Sequence, residues 1–235
     1  MATAEEWSFP ENMRPDGDEV DFDLSAALEA MVLVRAEIPE DAFTAEILGT
    51  ERVGNGVLVG DGLVLTIGYI VTEAQNIWLT TNSGAVVQGY PLAYDQVTGF
   101  GLIKALGPIN AKPLSFGSPN QLGVGERAYL LGHGGLEHSL KVKLVDRREF
   151  AGYWEYMLDE ALFTAPAHPQ WGGAALVDAK GQLLGVGSLL VQEAVEEETV
   201  QGNMIVPVDI LEPILDTLLN TGQSGLPPRP WLGLY

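Results

Sequence analysis

The stretch GNGVLVGDGLVLTIGYIV, residues 54–71, sets the reading of the whole chain. Two apolar, β-branched runs, 53–59 and 63–66, flank a glycine-bearing turn, which is the pattern of short antiparallel strands. From Leu24 onward the same grammar repeats, with further candidate strands at 29–36, 77–81, 85–91, 100–104, 127–132, 140–147, 153–157, 162–165, 174–177, 183–191 and 200–206. Asn82-Ser83-Gly84 reads as a hairpin turn, and the alternation in Lys141-Val142-Lys143-Leu144 gives a strand with one wet face. Short strands at this spacing predict an all-β sandwich or pair of barrels.

Two regions depart from that grammar. Residues 1–23, with Pro10, Pro15, Gly17 and the run Asp18-Glu19-Val20-Asp21-Phe22-Asp23, form an acidic N-terminal arm carrying Trp7, Phe9 and Phe22. Asp16, Asp18, Asp21 and Asp23 lack the glycine and distal glutamate of a calcium loop, so the arm reads as solvated and no metal is assigned to it. Near the end, Asp209 and Glu212 have capping-box spacing before an apolar stripe of Ile210, Leu211, Ile214, Leu215, Leu218 and Leu219, which predicts a closing helix.

The 235 residues carry 32 acidic and 12 basic side chains, a net charge of −20. Residues 1–30 hold 9 acids and 1 base, and residues 190–220 hold 7 acids and no base. A field of that sign repels a phosphate backbone, so nucleic acid is excluded as a partner and basic segments are favoured. The chain has no cysteine, which removes thiolate metal sites, thiol nucleophiles and disulfides. No run reaches the roughly 18 apolar residues of a membrane span. The first residues lack a basic n-region and an apolar h-region, giving a cytoplasmic expectation, or a periplasmic one if a signal has been removed.

Three separated stretches resemble the HtrA/Deg-type trypsin-like serine proteases, in that family's order. Residues 54–71 are similar to its G-S-G-h-h-h…G-h-h-L-T-N-x-H-V-V pattern; DQVTGFGLIK, 95–104, to D-x-x-T-D-L-A-V-L-K; and HPQWGGAALV, 168–177, with GQLLGVGS, 181–188, to N-P-G-N-S-G-G-P-L-h…G-x-h-h-G-V-N-S. NMIVPV, 203–208, resembles the strand before the family's closing helix, and RPWLG, 229–233, its junction into a PDZ domain. The resemblance implies a double six-stranded β-barrel with a C-terminal helix: an N-terminal barrel at 24–112, a C-terminal barrel with its helix at 113–221, and a linker into a truncated PDZ start at 222–235. It also implies a trimer built through the aromatic arm; an arm folded back locally is the alternative.

The resemblance places the general base at Tyr69, the orienting carboxylate at Gly99 and the nucleophile at Gly172, with oxyanion-hole N–H groups from Gln170 and Gly172. Glycine supplies neither a hydroxyl nor a carboxylate, and a phenol of pKa about 10 is no base at pH 7. Trp171 is either a plug in the cleft or an aromatic platform for a ligand. Tyr69 either fills the space of an imidazole or bonds a ligand. The histidines are His133, His138 and His168, without helical zinc spacing. Gly132-His-Gly-Gly135 is similar to an esterase oxyanion loop but has no G-x-S-x-G elbow to accompany it.

The reading that follows is a pseudoprotease that needs no cofactor and binds a peptide or unfolded protein segment in a cleft formed by His168, Trp171, Ser188 and Leu189. Two alternatives stand beside it: a serine-type endopeptidase rebuilt around His168 and Ser188, and an oligomerisation platform for a PDZ domain.

Overall fold

In the computed structural model, which describes residues 7–152, 156–196 and 199–225, the chain closes into two antiparallel six-stranded barrels. The first holds β1 (Met31–Glu37), β2 (Glu51–Gly60), β3 (Leu63–Ile67), β4 (Asn76–Thr81), β5 (Val86–Tyr94) and β6 (Phe100–Ala105), in the order β1-β2-β3-β6-β5-β4. The second holds β7 (Arg127–Leu131), β8 (Leu140–Ala151), β9 (Met157–Ala165), β10 (Ala175–Val177), β11 (Leu183–Val191) and β12 (Gly202–Pro207), in the order β10-β11-β12-β9-β8-β7. Each closure removes the exposed edges that an open sheet would leave. The fold is thus an all-β double barrel with a C-terminal helix.

Alternation builds both cores. Along β4, Ile77, Leu79 and Thr81 turn inward and Trp78 outward, as a period of two dictates. β12 is buried along its whole length and β11 as far as Ser188. β9 is one continuous strand where two short ones, 153–157 and 162–165, were expected; residues 153–155 lie outside the described residues.

The closing helix α4 (Glu212–Thr221) is present, but the capping box is not made. Val208–Ile210 form a 3-10 turn and the buried Leu211 stands at the cap without a side-chain bond. The helix starts at Glu212, so Asp209 sits inside the 3-10 turn rather than at the cap, and Pro213 occupies the first turn, where a missing N–H is tolerated. Three further α-helices are short: α1 (Leu24–Glu29) ahead of β1, and α2 (Ala45–Leu48) and α3 (Gly68–Val71) between strands. The strand-only expectation missed them. For α1 the signal was present, because the Asp23 carboxylate accepts from the Ala26 N–H at 3.0 Å as an N-cap.

The arm folds back on its own C-terminal barrel. The Phe9 N–H donates to the Glu137 carbonyl at 2.9 Å, and the Asp21 N–H to that of Ala179 at 3.1 Å. The Trp7 ring meets His138 edge-on at 4.4 Å, Phe9 meets His168 at 5.1 Å, and Phe22 lies over Gly181 beside Tyr129. The aromatics expected to build a trimer therefore pack within one chain. Residues 226–235, with the expected PDZ junction, lie outside the described residues.

Candidate functional site

The site lies where α3, the turn before β6, and the 168–173 loop meet between the barrels. α3 carries Tyr69. Its first N–H, from Gly68, donates to the Gly99 carbonyl at 2.7 Å, which ties the helix to the loop ahead of β6. At its other end, Arg52, 6% exposed, donates to the carbonyls of Tyr69 at 2.8 Å and Thr72 at 3.1 Å. A terminal turn whose carbonyls would otherwise lack partners is thus held by a buried guanidinium.

The fold brings Tyr69, Gly99 and Gly172 to one cleft. A Cβ on Gly172 would lie 3.0 Å from the Tyr69 hydroxyl, so the phenol stands directly against that glycine. That hydroxyl donates across the barrels to the Ser188 carbonyl at 2.7 Å. At Gly99 the space is taken: φ is +81°, and a Cβ would come within 2.2 Å of the Tyr156 ring. The Tyr156 hydroxyl in turn hydrogen-bonds the Ser188 hydroxyl. The carbonyl and the hydroxyl of Ser188, which is 0% exposed, are therefore both committed to tyrosines.

His168 is not at the cleft rim, as the sequence had placed it, but fully buried. Its Nδ1 accepts the Gln170 N–H at 3.0 Å, and its Nε2 lies 2.9 Å from the His138 carbonyl, which fixes the neutral tautomer with the proton on Nε2. Burial pushes its pKa down to about 4. The ring cannot touch a peptide, and it takes up the Gln170 N–H expected at an oxyanion hole. Among the described residues, the Gly172 N–H has no acceptor. Trp171 and Leu189 are half-buried, and Leu189 packs against the main core. The Gly132–Gly135 loop shapes a barrel contact, since the Gly134 N–H donates to the Asn82 side chain at 2.8 Å.

Two residues missed in the sequence organise the cleft. Asn55, 1% exposed on β2, donates to the carbonyls of Gln170 at 2.8 Å and Gly172 at 3.3 Å and accepts from the His133 N–H at 2.8 Å. A lone amide inside an apolar run was its legible signal, because a buried polar side chain requires partners. Tyr156 carried no local signal. Its role exists only because β9 delivers it beneath Gly99. Among the described residues, no group of three or more His, Cys, Asp and Glu side chains could hold a metal, and no helix is long and apolar enough to cross a membrane.

A double barrel with a loop-lined cleft at its seam defines a class, and the family model for the trypsin-like peptidase domain matches residues 54–186. The chain belongs to that family. Within it, the chain is similar to HtrA-type members. It is 27% identical over 181 residues to the serine protease Do-like HtrB of Bacillus subtilis, covering 73% of this chain and 38% of that protein. It is 25% identical over 194 residues to the serine protease PepD of Mycobacterium tuberculosis, covering 73% and 42%. The HtrA-type protease AlgW, solved with a tripeptide, superposes with a TM-score of 0.66 at 17% identity, covering 86% of this chain and 65% of that one. The chain thus spans about two fifths of the length of these curated relatives.

Proposed function

We propose that this HtrA-like domain is a pseudoprotease that binds an extended peptide or unfolded protein segment at the cleft without cleaving it. The observation that carries the reading is the Tyr69 hydroxyl, seated on the Ser188 carbonyl and against Gly172. Acyl transfer by this fold needs a hydroxyl nucleophile, an imidazole base and an orienting carboxylate. At the three matching positions stand a glycine, a phenol and a glycine packed on Tyr156. Loss of nucleophile or base lowers turnover on the order of 10⁶-fold. The rebuilt-endopeptidase alternative is disfavoured, since His168 has both ring nitrogens engaged and Ser188 its hydroxyl.

Binding survives this loss because strand addition uses backbone groups alone. β10 pairs with β11 only from Leu183 to Val186, so the same edge of β11 beyond Ser188 has no strand beside it among the described residues. An incoming segment exchanges the Tyr69 hydroxyl for its own N–H at the Ser188 carbonyl. The acidic surface favours a basic segment.

Labelled, unfolded casein is the probe. The expected result is retention by the protein with no new fragment masses over hours, weaker retention with Ser188→Pro, and tighter retention with Tyr69→Phe, which frees the carbonyl. Fragments that scale with protein concentration would overturn the loss of catalysis. Unchanged affinity in both folded variants would move binding away from β11.

A further inference from the structure

The loop between β1 and β2 presents the two most exposed large apolar side chains among the described residues, Phe43 at 81% and Ile47 at 73%. Such groups ordinarily collapse onto the surface, because removing apolar area from water is favourable. Here the backbone is held so that they do not. The Glu73 carboxylate, reached through a left-handed backbone at φ 60°, accepts from the Phe43 N–H at 3.0 Å and from the Thr44 N–H at 2.7 Å and hydroxyl at 2.5 Å. Arg52 donates to the Thr44 hydroxyl at 2.7 Å and to the Gly49 carbonyl at 3.2 Å. The Leu48 N–H closes a helical turn on the Thr44 carbonyl at 2.9 Å; Ile47 lies on that turn and Phe43 just ahead of it.

Apart from the buried Arg52, the charges on this loop have one sign. Glu40, Asp41 and Glu46 are exposed on the same loop, and none forms an ion pair among the described residues. A face with two apolar prongs and three unpaired carboxylates is complemented by a partner that offers apolar groups flanked by Lys or Arg.

We propose that residues 39–50 form a docking surface for a cationic amphipathic segment of a partner protein, separate from the cleft and independent of what the cleft binds. The prongs supply buried area and the carboxylates supply steering. Arg52, which also holds the Tyr69 and Thr72 carbonyls, fixes the base of this loop to α3.

The test uses a fluorescein-labelled amphipathic Leu/Lys helical peptide, and a Gly/Lys peptide of equal charge as control, titrated against the full chain by anisotropy. The Leu/Lys probe is expected to bind the wild-type chain at least about tenfold more tightly than the control. Phe43→Ser/Ile47→Ser should weaken the Leu/Lys probe about tenfold or more while leaving the melting temperature and control binding unchanged. Glu40→Gln/Asp41→Asn/Glu46→Gln should weaken both probes and flatten their salt dependence. Equal binding of the Leu/Lys probe by wild type and the prong variant would overturn the proposal. So would sedimentation showing wild-type oligomers that the prong variant abolishes, because the occupant would then be a second copy of this chain.

Discussion

The cleft and the β1–β2 loop treat their side chains in opposite ways. At the cleft, Tyr69, Tyr156, Asn55 and His168 are drawn into contacts that cross between barrels or loops, and nearly every polar atom is spent on another. Along the loop, the backbone is fixed just as firmly by Glu73 and Arg52, yet the apolar side chains point to water. Rigidity in the first case serves packing, and in the second it serves presentation. Substitutions should therefore register as lost stability at the cleft and as lost partners at the loop.

The largest effect is expected at Gly173. Its φ is +78°, and an added Cβ would stand 1.8 Å from the Asn55 carbonyl oxygen, where only movement of the backbone makes room. Gly173→Ala should lower unfolding stability by about 4 kcal/mol or prevent folding. A urea midpoint close to wild type would show that the cleft yields more easily than its contacts imply.

Next comes the pH response of His168. Its folded pKa, about 4, lies below the ordinary value of 6.5, so the unfolded chain binds the proton more readily between those limits. Stability from this group is complete above pH 6.5, falls as the pH drops, and is lost by about pH 4. The loss amounts to about 3 kcal/mol, from 1.36 kcal/mol per pKa unit. Chemical denaturation at pH 7 and pH 5 checks the slope. His168→Gln should remove this part of the difference, and an unaltered slope would assign the acid response to other groups.

The smallest pair of effects separates Gly99 from Gly172. Gly99→Asp meets both the left-handed φ and the Tyr156 ring, and should cost about 2 kcal/mol. Gly172→Ser has ordinary φ and only the Tyr69 hydroxyl at 3.0 Å, and should cost less than about 1 kcal/mol. Thermal melts of the two single variants decide it. Equal losses would mean that Tyr156 does not fill the space beside Gly99 as tightly as its contacts imply.

Strand placement was largely legible, because the alternation of buried and exposed positions is local and each glycine turn announces itself. β11 falls at the expected 183–191, and β3 extends the expected 63–66 by a single residue. Short helices were less legible: the four residues of α3 are set by the Gly68–Gly99 bond and by Arg52, neither of which is a neighbour in sequence. The three positions Tyr69, Gly99 and Gly172 could be named from motif spacing. What surrounds them could not.

The sequence by itself determined the barrel grammar, the acidic field and the residue types at 69, 99 and 172, since these depend only on residue type and local order. Tertiary structure alone decided that Tyr69 reaches a carbonyl 119 residues away and that Tyr156 occupies the space beside Gly99. It also decided that His168 is buried beneath Phe9 and that Phe43 and Ile47 stay in water. Those outcomes depend on which distant segments the closed barrels bring together, and on which backbone amides then find partners.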